Sequence, residues 1–126
     1  MYLTNNSFLH VGITFAGTPK VRELEPWIQT LCNDWIRYSA NNWIIWTSKS
    51  PREVAESMRL MLDPNDLILV VRIDTHDSSG FLPQWIWDWI NRPRPPGWTP
   101  PPAPHALPPS RANDPLAGLR LPPRRR

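Results

Sequence analysis

Cysteine is almost missing from this chain. Cys32 is the single one among 126 residues, which excludes an intramolecular disulfide and any zinc site built on several cysteines. Glycine is scarce as well. Its five positions, 12, 17, 80, 97 and 118, are too scattered to form a phosphate-cradling loop, which argues against nucleotide hydrolysis. No stretch approaches the roughly 18 apolar residues of a membrane-spanning helix. Residues 1–7 also lack the basic start and apolar run of a secretory signal. A soluble, cytoplasmic protein is the expectation, and the length suits one domain.

What is abundant is proline and tryptophan, and the two are separated. Residues 1–92 hold 5 of the 17 prolines and 7 of the 8 tryptophans, whereas residues 93–126 hold 12 prolines and the single aromatic Trp98. The first stretch reads as a globular domain. The second reads as a disordered or polyproline tail that is rich in Pro and Arg and cannot pack a core. Charge divides at the same point. With 8 basic against 10 acidic residues the first 92 positions carry −2, and with 6 arginines against one aspartate the tail carries +5. The overall excess of +3 therefore belongs to the tail, and the globular part lacks the basic surplus of a duplex-binding face.

Residues 8–15, FLHVGITF, predict a buried strand. Thr18 and Pro19 supply helix-opening chemistry, and Val21, Leu24, Ile28, Leu31 and Trp35 recur at spacings of 3 and 4. Pro26 would remove a backbone bond from that helix, so the expected start lies near Glu25. Residues 35–39 and 42–47 form a hairpin about Ala40 and Asn41. Ser50, Pro51 and Glu53 spell a capping box opening a second helix, with Val54, Ala55, Met58, Met61 and Leu62 as its apolar face and a turn at residues 63–66. The run LILVVRI at 67–73 predicts a central strand covered by helices. Residues 81–91, FLPQWIWDWIN, form a last short helix opened by Pro83. That helix is so nearly apolar all round that it must bury a second face, in its own domain or against another subunit. The succession is βαββαβ plus a short C-terminal helix: an α+β, ferredoxin-like fold with an antiparallel sheet.

The segments at 35–46, 63–73 and 80–90, above all Gly80, Phe81, Leu82, Pro83 and Gln84 followed by Trp87, Asp88 and Trp89, resemble a family of small bacterial and phage proteins, some labelled after the SinR regulator. That family is distantly similar to the ferredoxin-like group of CRISPR-associated spacer-acquisition nucleases and VapD-type ribonuclease toxins. The resemblance covers roughly residues 8–92. It implies homodimers and, in some members, metal-assisted cleavage of RNA or DNA by an aspartate near the end of the first strand. Here that region reads Thr14, Phe15, Ala16, Gly17 and Thr18, with no carboxylate before Glu23.

Three places carry candidate chemistry. In the loop 74–79, Asp74, His76 and Asp77 crowd at a strand end and supply the groups a metal or general-base site uses. Cys32, with His10 or His76 as base, is a nucleophile candidate, set against its place on an apolar helix face where a free cysteine behaves as a small hydrophobe. Trp43 and Trp46 point to opposite sheet faces, one into the core and the other onto a face where aromatics seal dimers or stack bases. Of the arginines, Arg72 interrupts a buried strand, and Arg37 and Tyr38 face opposite ways. Two PxxP matches fall in the tail, and Arg124, Arg125 and Arg126 offer a weak site for nucleic acid.

The leading expectation is a small, non-catalytic homodimeric binding protein with no cofactor and no metal. Its interface comprises Trp43, Trp46, Trp85, Ile86, Trp87, Trp89 and Ile90, with room for a further protein partner. One alternative is a divergent endoribonuclease of toxin type that uses Asp74, His76 and Asp77 with Mg²⁺. Another is nucleic-acid binding through the basic tail.

Overall fold

The computed structural model describes residues 5–100 and a two-residue strand at 119–120. Strand β1 (Ser7–Thr14) leads through a turn to helix α1 (Val21–Leu31) and the hairpin β2 (Asp34–Ser39) and β3 (Asn42–Thr47). Helix α2 (Pro51–Arg59), strand β4 (Leu67–Ile73), the short strand β5 (Leu82–Pro83), helix α3 (Gln84–Asn91) and strand β6 (Leu119–Arg120) follow. The fold is mixed α+β, with a four-stranded antiparallel sheet in the order β2-β3-β1-β4; β6 pairs with β5.

Alternation along the strands gives the sheet two working faces. On one, Leu9, Val11 and Ile13 of β1 meet Trp35, Trp43 and Ile45 of the hairpin beneath Leu24, Ile28 and Leu31 of α1 and Val54 and Met58 of α2. Trp43 is fully buried there, and its indole N–H donates to Glu25, which also pairs with Arg37 at 2.8 Å. On the other, Ile36 and Ile44 meet Ile86 and Trp89 of α3, with Phe8, Tyr38, Ile73 and Leu82 packed around them. Two helices thus cover one face and α3 covers part of the second.

The second helix is set locally. Ser50 accepts from the Glu53 N–H, Glu53 accepts from the Ser50 N–H, and Pro51 stands at the start, where a missing N–H costs no hydrogen bond. The first helix departs from expectation. It begins at Val21 and runs through Pro26. Leu24 lies N-terminal to that proline and is fully buried, so a helix starting at Glu25 would leave out part of the core-facing stripe. Apolar burial outweighs one absent backbone bond.

Strand β4 also departs from expectation. Its apolar run does not lie at the centre of the sheet but at an edge, paired among the described residues with β1 alone. Leu67 and Leu69 are 66 % and 61 % exposed and Val71 is 42 % exposed, because α3 does not reach that part of the open face. Uniform apolarity does not distinguish a strand covered on both faces from one with an open face.

Packing continues past Arg92, where the sequence places the start of the tail. The Arg94 guanidinium lies over the rings of Phe8, Trp46, Trp89 and Trp98, at 4.6 Å from the Trp89 centroid, and Trp98 meets Trp46 edge-on. Trp89 of α3 thus buries its second side within its own chain.

Candidate functional site

The open face of the sheet carries the features that bear on function. Residues of even number on β1 and β3 and odd number on β4 point to it. The register places Gly12 beside Leu69 and Asn42, His10 beside Val71 and Ile44, and Phe8 beside Ile73 and Trp46. Phe8, Ile73 and Trp46 belong to the region under α3 and the segment after it. Beyond it lie the exposed leucines of β4.

Between these regions is a cavity of about 330 Å³. Its floor is Phe8, His10, Tyr38, Ile44 and Ile73; one wall is Trp87 and Ile90 of α3; and the rim is Thr75, Ser78, Ser79, Gly80 and Leu82. His10 Nε2 and the Tyr38 hydroxyl lie 2.6 Å apart in a hydrogen bond that reaches across β3. Partial burial lowers the His10 pKa and raises that of Tyr38, so both polar groups on the floor are neutral near pH 7. Gly12 sets the imidazole: a Cβ there would stand 3.1 Å from His10 Cε1 and 3.1 Å from Asn42 Oδ1. The ring lies over the bare glycine with its opposite nitrogen toward Tyr38.

The loop carrying Asp74, His76 and Asp77 folds on its own backbone. Asp74 accepts from the His76 N–H through its carboxylate and from the Asp77 N–H through its carbonyl, and the Ser78 hydroxyl donates to that same carbonyl. All three side chains are exposed, while the neighbouring hydroxyl residues Thr75, Ser78 and Ser79 line the cavity. Among the described residues no group of three or more His, Cys, Asp or Glu side chains is placed to hold a metal ion.

Cys32 packs with the core under α1 and donates to the Ile28 carbonyl. Burial, reinforced by Asp34, pushes its thiol pKa up to about 12, the reverse of what a nucleophile needs. His10 sits on the opposite face of the sheet, so the two do not meet.

Of the residues expected at an interface, Trp43, Ile86, Trp87 and Trp89 are buried within the chain, and Trp46, Trp85 and Ile90 are half-buried. Trp43 and Trp46 do face opposite sides, with Trp46 against Arg94 and Trp98. Arg72 donates to the Ser7 hydroxyl. Arg124, Arg125 and Arg126 and the second PxxP match lie outside the described residues.

Sequence reasoning missed His10 with Tyr38 as a pair, because residues 28 apart on non-adjacent strands give no local signal. It also missed Arg94, whose partner Asp34 lies 60 positions earlier in the chain. Among the described residues no helix is long and apolar enough to cross a membrane. Compared with known proteins, the chain matches no family model, and no curated protein and no solved structure matches it.

Proposed function

We propose that this chain is a non-catalytic binding protein of the ferredoxin-like class that works as a homodimer, with two copies joined along β4. The order of elements and the strand order β2-β3-β1-β4 support the ferredoxin-like reading. The observation that carries the dimer is the edge of β4, unpaired among the described residues, where Leu67, Leu69 and Val71 stand exposed in a row. A long apolar edge is a hazard unless it is covered, and another strand covers it best by supplying backbone partners and apolar neighbours together.

The occupant that fits is a second copy. Antiparallel pairing of β4 with itself is two-fold symmetric, as an isologous interface requires. Centring the pair on Leu69 sets Leu67 against Val71, Ile68 against Val70 and Asp66 against Arg72. The exposed apolar residues then face one another and the end charges are opposite in sign.

Light scattering over a dilution series tests this. The full chain is expected to hold twice the mass of 14.6 kDa at micromolar concentration. Leu69→Lys, at an exposed position, is expected to keep its circular dichroism spectrum and run as a monomer. A wild-type chain that is monomeric throughout, or a Leu69→Lys variant that stays dimeric, overturns the reading.

A further inference from the structure

We propose that the cavity floored by His10 and Tyr38 is a binding site for a small, neutral, largely aromatic molecule carrying one hydroxyl or carbonyl group, held by a hydrogen bond to Tyr38. This inference stands apart from the dimer, since Leu67, Leu69 and Val71 do not line the cavity.

Size and lining argue first. At about 330 Å³ the space lies at the low end of the roughly 300–1,000 Å³ typical of small-molecule sites. Phe8, Ile44, Ile73, Leu82, Trp87 and Ile90 give it apolar walls on several sides, including two aromatic rings against which a flat ligand would pack. Such a space favours a compact ring system over a long chain or a sugar.

The polar groups then define the ligand's chemistry. Among the described residues, no side chain lining the cavity belongs to Asp, Glu, Lys or Arg. The polar contributions come from one imidazole, one phenol and the hydroxyls of Thr75, Ser78 and Ser79. A charged ligand would lose its hydration and meet no counter-charge, whereas a neutral one would lose little. The His10–Tyr38 bond gives the phenol a fixed direction. With His10 Nε2 donating, the Tyr38 hydroxyl is free to donate to a ligand oxygen; with the tautomer reversed, it accepts from a ligand hydroxyl. The imidazole packs close over Gly12, where a Cβ would stand 3.1 Å from His10 Cε1.

Titration calorimetry of the full chain with 2-naphthol, naphthalene-2-carboxylate as the anionic comparison, tests the proposal. Saturable binding of one 2-naphthol per chain is expected, with the carboxylate at least tenfold weaker. Tyr38→Phe keeps the ring and removes the hydroxyl, and is expected to weaken 2-naphthol roughly 5- to 10-fold, the worth of one neutral hydrogen bond. Ser79→Trp, an exposed rim position, fills the mouth and is expected to abolish binding while leaving the circular dichroism spectrum unchanged. Leu69→Lys is expected to leave the affinity unchanged, which separates this site from the strand edge. Absence of saturable binding, equal affinity for the two naphthalenes, or binding that survives Ser79→Trp but is lost in Leu69→Lys overturns the assignment.

Discussion

Arg94 reaches back to Asp34 across sixty positions of sequence and donates to its carboxylate at 3.1 Å, with the two side chains only 4 % and 0 % exposed. The same guanidinium donates to the carbonyls of Arg92 and Trp89 and is covered by four aromatic rings. The pair ties the segment after α3 to the start of β2 and holds α3 against the sheet between them. Desolvation weighs against a buried cation, and the carboxylate with the ring faces offsets that cost.

Removing one partner strands the other. Arg94→Met is expected to lower the free energy of unfolding by about 3–5 kcal/mol, as measured by urea titration. Asp34→Asn is expected to cost a similar amount. The double variant is expected to cost clearly less than the two losses together, because neither charge is then left alone. Strict additivity would mean that the contact at 3.1 Å carries no coupling.

Helix α1 offers a change in the opposite direction. Pro26 is exposed inside the helix, where it supplies no N–H to the carbonyl four residues earlier. Pro26→Ala restores that donor and removes a ring that contributes nothing to the core. An increase in stability of about 1–3 kcal/mol is expected, bounded by the proline penalty in a helix interior. A decrease would show that the proline's restriction of the unfolded chain outweighs the missing donor.

These two cases mark what could be read from the sequence. The capping box at Ser50 and Glu53 was legible because its partners are three residues apart and its geometry is a property of one helical turn. The hairpin about Ala40 and Asn41 was legible for the same reason. The course of α1 through Pro26 was not, because local propensity opposes it and only packing of Leu24 and Ile28 against a distant sheet decides it. The edge position of β4 was hidden because an apolar run looks alike whether it is covered by its own helices or left open. The cavity was hidden further still. It needs β1, β2, α3 and the loop between β4 and β5 in place before His10, Tyr38 and Ser79 become neighbours.

Cys32 gives a chemical readout of the core. With a thiol pKa pushed up to about 12 by burial and by Asp34, almost none is thiolate at pH 8. The native protein is expected to react with a disulfide reagent such as DTNB at least a hundredfold more slowly than the urea-unfolded chain. Cys32→Ala is expected to remove the reaction from both. Rapid modification of the native protein would place the thiol in an exposed, electropositive setting and reopen its role as a nucleophile.

The pH dependence of stability isolates His10. Its pKa is lowered in the folded protein by partial burial, so the unfolded chain takes up a proton first as the solution is acidified. Stability on this account is full above the ordinary imidazole value of about 6.5 and falls as pH drops from there through the lower folded value. The lowered carboxylate pKa values of Glu53 and Asp66, held by backbone N–H donors of Ser50 and of Ala16 and Asp63, act in a separate window below about pH 4. His10→Gln, which cannot titrate, is expected to flatten the thermal midpoint between pH 6.5 and 5 while leaving the loss below pH 4 in place. An undiminished slope between pH 6.5 and 5 in that variant would assign the effect to another group and leave the neutral floor of the cavity without experimental support.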